Sequence, residues 1–188
     1  HPHYATPEQK GVYTPYKRDP ETGARYWAIP GQEGYEHILG GLEKDGDTGA
    51  ISTDPENHDK MCRLRAAKVF KIPVPDLEVQ GDADDADLLI VGFGGTFGHL
   101  YSAMEEMRSA GHKVALAHFN YINPLPKNTA EVLGKYKKVV VAEQNLGQFA
   151  GYLRMRIDNF MPYQFNQVKG QPFVVGELVK AFTKIINN

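Results

Sequence analysis

The run Leu88-Leu89-Ile90-Val91, followed by Gly92-Phe93-Gly94-Gly95-Thr96-Phe97-Gly98, decides the fold of this chain. Four consecutive apolar residues are too few for a helix, and a strand without polar alternation is typical of a sheet covered on both faces. The segment after the glycine-rich turn has apolar residues at helical spacing, namely Leu100, Ala103, Met104 and Met107. A buried strand, a tight turn and an amphipathic helix predict the first unit of a parallel α/β sheet.

The same alternation repeats toward the carboxyl terminus. With a first strand at 88–92, we predict further strands at 113–119, 138–143 and 164–168, each followed by an amphipathic helix. The segment 164–168 is polar, which favours an edge position in the sheet. The fold class is therefore α/β, a three-layer αβα arrangement with a mostly parallel central sheet. A further short strand is expected at Tyr35–Leu39.

The amino-terminal part of the chain has a different character. Residues 1–34 are rich in proline and glycine, which disfavour long helices, and we expect them to form an irregular N-terminal arm. The α/β domain is then predicted to occupy 35–188. A helix should begin at Pro55, which suits the first helical position, with either Thr53 or Asp54 as its cap.

The composition excludes several classes of protein. The 188 residues are 41% hydrophobic and 23% charged, and the net charge of −2 gives no electrostatic case for nucleic-acid binding. The single cysteine, Cys62, excludes an internal disulfide, a thiolate zinc site and an iron–sulfur cluster, and it favours a reducing, cytoplasmic location. No apolar run is long enough to span a bilayer, so no membrane partner is expected. Because the chain begins with His1 rather than Met, we interpret it as a piece of a longer protein.

The loops that follow the predicted strands should meet at one edge of the sheet, where α/β proteins gather ligands and partners. We predict that they form a crevice for an anion or for a protein interface. Its candidate residues are Gly94, Gly95, Thr96, Asn123, Glu143, Asn145, Lys169 and Gln171. Glu143 and Lys169 are expected to form an ion pair across this crevice, whereas Asn145 equally fits a structural helix cap.

The glycine-rich turn matches a dinucleotide-binding motif only in part. The third glycine of G-x-G-x-x-G packs the helix on the strand, and Phe97 occupies that position. Phe119 and Asn120 stand where an acidic residue would accept hydrogen bonds from a ribose. We therefore favour a structural turn, with an anion at the helix amino terminus as the alternative. Because the sequence has neither a nucleophile pattern nor metal-ligand spacing, we predict no catalytic and no metal-binding residue. We interpret His58, His99, His112 and His118 as surface or packing residues.

Five segments of the sequence resemble the carboxyl-terminal part of the alpha subunit of 2-oxoacid:ferredoxin oxidoreductases, and most of all the 2-oxoglutarate (2-ketoglutarate) enzyme. They follow one another in order over nearly the whole chain. The segments are Asp54-Pro55-Glu56-Asn57-His58, the turn at 92–98, Asn123-Pro124-Leu125-Pro126-Lys127-Asn128, Glu143-Gln144-Asn145-Leu146-Gly147-Gln148 and Lys169-Gly170-Gln171-Pro172-Phe173. The family commonly has serine where this chain has Gly95.

The resemblance implies a thiamine diphosphate enzyme that decarboxylates a 2-oxoacid, transfers the acyl group to coenzyme A and reduces ferredoxin through an iron–sulfur cluster. It implies that this chain is domain II, a transketolase C-terminal-like domain that contacts the rest of the alpha subunit and the beta subunit. In the family, thiamine diphosphate lies between the preceding domain and the beta subunit, which carries the cluster. We therefore expect thiamine diphosphate, magnesium and the cluster in the whole enzyme, but no cofactor in this chain.

The expected role of this chain is structural, in assembly, and the isolated chain should be catalytically silent. Aromatic residues of the arm are candidates for a buried contact with the rest of the alpha subunit, because aromatic anchors dominate interfaces. They are Tyr13, Tyr16, Tyr26 and Trp27. A stand-alone α/β module that binds a nucleotide or an anion is the alternative function.

Overall fold

Residues 2–188 are described by the computed structural model. They fall into two units, one ending at Pro73 and the other comprising Val74–Asn188. The two units meet after Pro73, whereas the sequence places the start of the α/β domain at residue 35. The division into an arm at 1–34 and a domain at 35–188 stays a prediction.

The first unit consists largely of irregular backbone and contains helix α1 (Pro55–Phe70). Of the two candidate caps, Asp54 is the one used, because its carboxylate accepts a hydrogen bond from the backbone N–H of Glu56 at 3.0 Å. The strand predicted at Tyr35–Leu39 is wrong, since this segment lies outside the strands of the described chain. The segment is instead anchored by the ring of Tyr35, which is buried and donates its hydroxyl to the carbonyl of Thr6 at 2.7 Å.

The second unit is built on a five-stranded sheet in the order β1-β3-β2-β4-β5. The strands are β1 (Val79–Gly81), β2 (Leu88–Phe93), β3 (Val114–Phe119), β4 (Val139–Glu143) and β5 (Tyr163–Asn166). Strands β2 to β5 run parallel, whereas β1 is antiparallel to β3. The four predicted strands of the sheet are thus confirmed, and β5 lies at the edge that its polar sequence favoured.

Helices cover both faces of this sheet. They are α2 (Phe97–Ser109), α3 (Thr129–Gly134), α4 (Gln148–Arg156) and α5 (Val175–Asn187). Alternate residues of β2 point to opposite faces, so Leu88 and Ile90 pack in one cluster with α2 and α5. Leu89 and Val91 pack in the other cluster with α3 and α4. The arrangement is the predicted three-layer αβα fold, with the strongest apolar run at its centre.

Strand β1 was not predicted, because it is short and its residues are mostly polar or exposed. The acidic run 82–87, between β1 and β2, contributes contacts to this region. The carboxylate of Asp82 accepts hydrogen bonds from Arg108 Nε at 2.9 Å and from the backbone N–H of Val114 at 3.1 Å. These bonds hold the pKa of Asp82 below its ordinary value, chiefly through the Arg108 guanidinium.

Candidate functional site

The carboxyl ends of β2, β3, β4 and β5 all lie at the same edge of the sheet, because these strands run parallel. The chain passes from β2 to α2 on one face and from β4 to α4 on the other face. Since β2 and β4 are neighbours, their loops diverge toward opposite faces of the sheet, which is the arrangement of strands at which α/β proteins bind ligands. Two of the loops that follow the predicted strands, 92–98 and 143–147, flank this point, and we call the crevice predicted between them the switch-point crevice.

Glu143 is the last residue of β4 at this point of the sheet, and it is fully buried. Its two carboxylate oxygens accept the backbone N–H groups of Phe149 and Ala150, at 2.8 and 3.0 Å. These amides belong to the first turn of α4, where an α-helix leaves N–H groups without an internal acceptor and attracts negative charge. Glu143 therefore closes the amino terminus of α4, in the sense that it accepts hydrogen bonds from amides of its first turn. Because it is fully buried, its carboxylate is not exposed to a ligand.

The expected ion pair between Glu143 and Lys169 is wrong. The Glu143 carboxylate is occupied by the α4 amides, and Lys169 Nζ lies 3.9 Å from the carboxylate of Glu177. Both partners of that second pair are more than half exposed, so it contributes only about 0–1 kcal/mol to stability. The sequence shows a carboxylate and a cation at one edge, but it does not show that helix amides compete for the carboxylate.

Asn145 completes the closure of the same helix. Its side-chain oxygen accepts the backbone N–H groups of Gly147 and Gln148, at 2.8 and 2.9 Å. This is the capping role that the sequence left as one interpretation of Asn145. Together, Asn145 and Glu143 supply acceptors for the N–H groups of Gln148, Phe149 and Ala150, so an anion has no free N–H among these three.

The start of α2, on the other side of the crevice, is arranged differently. Thr96 is buried and donates its hydroxyl to the carbonyl of Phe93 at 2.8 Å, so this hydroxyl stabilises the turn. Gly94 and Gly95 are exposed, and an added Cβ on either would meet no atom within 4 Å in the described chain. In residues 2–188, no side chain caps this turn. The turn therefore presents backbone to the surface of the crevice.

The remaining candidates lie along the same edge. Asn123 is exposed, and its side-chain oxygen accepts the hydroxyl of Tyr152 at 3.4 Å. The carbonyl of Gln171 accepts the side-chain amide of Gln144 at 2.7 Å, beside a shallow cavity of about 500 Å³. The eight candidates thus follow parallel strands at one edge, but several of their polar groups bind each other or the backbone. Their role as a crevice for an anion or an interface stays a prediction.

A second cavity, of about 600 Å³, lies at the carboxyl end of β3 and was not predicted. Among its lining residues, His118 is bonded through Nε2 to the carbonyl of Gly94 at 3.1 Å, and its ring packs against Phe97. Burial lowers the pKa of His118 below its ordinary value, which favours the neutral ring. His118 therefore ties β3 to the turn before α2, in agreement with its packing interpretation. The sequence feature that could have indicated this cavity is the titratable His118 within the otherwise apolar strand 114–119.

The residues of this edge do not fit a magnesium–diphosphate site. The buried carboxylate that could face such a group is Glu143, and helix amides occupy both of its oxygens. Within residues 2–188, no group of three or more His, Cys, Asp or Glu side chains is placed to hold a metal ion.

The helices of this described range were also compared with the length and hydropathy of a membrane span, and none of them has both.

Residues 86–176 match the family described as "Pyruvate:ferredoxin oxidoreductase core domain II". The chain is 48% identical to the 2-oxoglutarate oxidoreductase subunit KorA of Mycobacterium tuberculosis, over 88% of this chain and 25% of that protein. It is 32% identical to the 2-oxoglutarate synthase subunit KorA of Methanocaldococcus jannaschii, over 76% of this chain and 37% of that protein. This chain also superposes on a solved structure of 2-oxoglutarate:ferredoxin oxidoreductase from Magnetococcus marinus, which has 2-oxoglutarate, coenzyme A and succinyl-CoA bound. The TM-score is 0.83 at 28% sequence identity, and the match covers 98% of this chain and 32% of that chain.

The central part of this chain is thus a core domain II of the pyruvate:ferredoxin oxidoreductase type. The chain as a whole is similar to alpha subunits of 2-oxoacid:ferredoxin oxidoreductases, and the resemblance seen in its loops is confirmed. It spans between a quarter and just over a third of the length of these curated relatives.

Proposed function

We propose that this chain serves as domain II of the alpha subunit of a 2-oxoglutarate:ferredoxin oxidoreductase. In this proposal the whole enzyme decarboxylates the 2-oxoacid with thiamine diphosphate and magnesium, forms the acyl-CoA, and passes electrons through an iron–sulfur cluster to ferredoxin. Its partners are the rest of the alpha subunit and the beta subunit, and its location is the cytoplasm. The names of two KorA relatives, and the ligands in the Magnetococcus marinus enzyme, support 2-oxoglutarate as the substrate.

We further propose that this domain contributes assembly surface and no reacting group. The observation that carries this role is the occupation of Glu143, the buried carboxylate of the switch-point crevice, by the amides of Phe149 and Ala150. This carboxylate is fully buried and each of its oxygens accepts a helix amide, so a metal or a substrate does not reach it, and its hydrogen bonds hold the loop before α4 in place. A rigid loop at the sheet edge suits docking onto another protein surface.

The same edge carries exposed apolar side chains beside the closed helix start. Leu146 is 82% exposed and Val168 is 65% exposed, and they belong to neighbouring loops that follow β4 and β5. Single exposed apolar residues are common, but two such residues on neighbouring loops favour a protein contact. We therefore assign this edge of the domain to the contact with the rest of the enzyme.

An exchange experiment tests this role directly. The segment of M. tuberculosis KorA that aligns with this chain is replaced by this chain, and 2-oxoglutarate-dependent dye reduction is measured in the assembled enzyme. We expect the exchanged enzyme to assemble and to be active, and Leu146→Glu to reduce assembly on a size-exclusion column. Met155→Glu is the matched control, because Met155 is 79% exposed but lies near the opposite end of α4. Equal loss of assembly in both variants would contradict the assigned edge.

Calorimetry of the isolated chain tests the absence of a cofactor-binding role. Titration with thiamine diphosphate and magnesium chloride is expected to give no saturable heat. Saturable binding in the micromolar range, or 2-oxoglutarate-dependent dye reduction by the isolated chain, would overturn the proposal. Either outcome would mean that the isolated chain has a cofactor-binding site, although its carboxylates are not arranged to form one.

The alternative function, an anion-binding module, has one specific observation in its favour. The exposed backbone of Gly94 and Gly95 at the start of α2 is the type of turn that binds phosphate. Titration with inorganic phosphate, followed through the amide resonances of these two glycines, distinguishes the two functions. Saturable shifts at millimolar phosphate or below favour the module, and unchanged resonances favour the assembly role.

A further inference from the structure

The exposed face of α1, in the first unit, carries a cluster of nucleophilic and charged side chains that the proposed function does not use. His58, Cys62 and Arg65 are spaced by four and three residues, so they share one face of the helix. The sulfur of Cys62 lies 3.7 Å from His58 Nε2 and 3.2 Å from Arg65 Nη2. Cys62 is the single cysteine of the chain, and it is exposed.

Glu43, from the preceding loop, orients both neighbours of the sulfur. Its carboxylate contacts His58 Nδ1 at 2.8 Å through one oxygen and Arg65 Nη1 at 3.0 Å through the other. These two bonds, with that from Arg65 as the larger cause, hold the pKa of Glu43 below its ordinary value, so the carboxylate stays charged. One carboxylate thus fixes an imidazole and a guanidinium on either side of one thiol.

The contact with Glu43 also fixes the proton arrangement of the imidazole. An ionised carboxylate only accepts hydrogen bonds, so His58 Nδ1 carries the hydrogen of that bond. In the neutral ring, Nε2 then has a free lone pair facing the thiol of Cys62. A nucleophile, a base within reach and a third group that orients the base are the features of an activated cysteine.

We propose that Cys62 is a modification site that exchanges with low-molecular-weight disulfides, with His58 as proton acceptor and Arg65 as the cation beside the sulfur. The thiol proton passes to His58 Nε2, and the sulfur anion attacks one sulfur of the disulfide. The disulfide bond of the reagent breaks as the new S–S bond to Cys62 forms, and the leaving thiolate takes the proton from His58. One disulfide is consumed and one is formed, so no further oxidant or reductant is needed. This proposal is independent of the enzyme activity proposed above.

The test measures the rate at which the native chain reacts with 4,4′-dithiodipyridine, followed by the absorbance of the released thiopyridone. This reagent is uncharged, so a slower variant does not simply reflect weaker electrostatic steering of the reagent. We expect the native chain to react faster than the same chain unfolded in urea. His58→Gln and Arg65→Gln should each slow the native reaction by about threefold or more. Arg65→Lys, which keeps the charge, should retain most of the rate.

Arg63→Gln is the matched control, because Arg63 lies on the same helix but donates to Asp59 at 2.7 Å rather than to the sulfur. It should leave the rate unchanged, and Cys62→Ser should abolish thiopyridone release. Far-ultraviolet circular dichroism verifies that each variant retains α1. The proposal is overturned if the native rate does not exceed the unfolded rate, or if either His58→Gln or Arg65→Gln reacts as fast as the unmodified sequence.

Discussion

Replacing Glu143 by glutamine tests whether the closure of α4 stabilises the domain as the geometry indicates. The substitution keeps the size of the side chain but converts one acceptor oxygen into an NH2 group. Of the two helix amides now bound, at 2.8 and 3.0 Å, one would then face a donor and lose its acceptor. A hydrogen bond to a charged group contributes about 1.5–3 kcal/mol, and an unsatisfied buried donor costs about 1–3 kcal/mol.

The lower cost of burying a neutral amide offsets part of this loss, so we expect Glu143→Gln to destabilise the chain by about 2–4 kcal/mol. With a urea m-value of about 2 kcal/mol/M, the unfolding midpoint should fall by about 1–2 M. Glu177→Gln is the control, because Glu177 is exposed and lies 3.9 Å from Lys169. Its midpoint should change by less than about 0.5 M. A Glu143→Gln midpoint as close to the original as that of the control would refute the reasoning.

Two further predictions concern the dependence of stability on pH. The pKa of Asp82 is lower in the folded chain, so its contribution is complete above the unfolded value of about 3.9 and is lost as the pH falls through the folded value. The urea unfolding midpoint of Asp82→Asn should therefore fall less between pH 5 and pH 2 than that of the unmodified chain. Parallel plots of midpoint against pH for the two chains would disprove this. The pKa of His118 is also lowered, so below pH about 6.5 the unfolded chain binds more protons and stability falls. His118→Gln should remove part of this loss between pH 7.5 and pH 5.5, whereas an unchanged slope would show that the histidine titrates freely.

The sequence predicts the sheet well because burial and periodicity are strong signals there. Leu88–Val91 has no polar residue, and all four of its side chains are fully buried. Strand β1 and the segment Tyr35–Leu39 show the limit of the same reasoning. The first pairs with β3 although it contains one apolar residue, and the second contains several apolar residues but finds no partner strand among residues 2–188. Pairing of short strands depends on distant neighbours, which composition does not encode locally.

The site was predicted less completely for a related reason. Residue types and strand ends located the crevice, but the partner of each polar group depends on competition within the folded chain. Glu143 could bind a cation or helix amides, and the α4 amides that it binds are only 6 and 7 residues further along the chain. The cluster of Glu43, His58, Cys62 and Arg65 was missed because Glu43 is distant in sequence and is brought to α1 only by the fold.

The glycines of the turn at 92–98 distinguish internal packing from an external contact. Gly92 is required internally, because a side chain there would overlap Leu100 and lie 2.9 Å from the Thr96 hydroxyl. Gly94 is required by its backbone, since its φ of 59° lies in the left-handed region. Gly95 has neither constraint: its added Cβ would meet no described atom within 4 Å, and its φ is not positive. Alanine at this position should therefore leave stability nearly unchanged. An effect of Gly95→Ala on assembly, at unchanged stability, would place the partner surface against this turn.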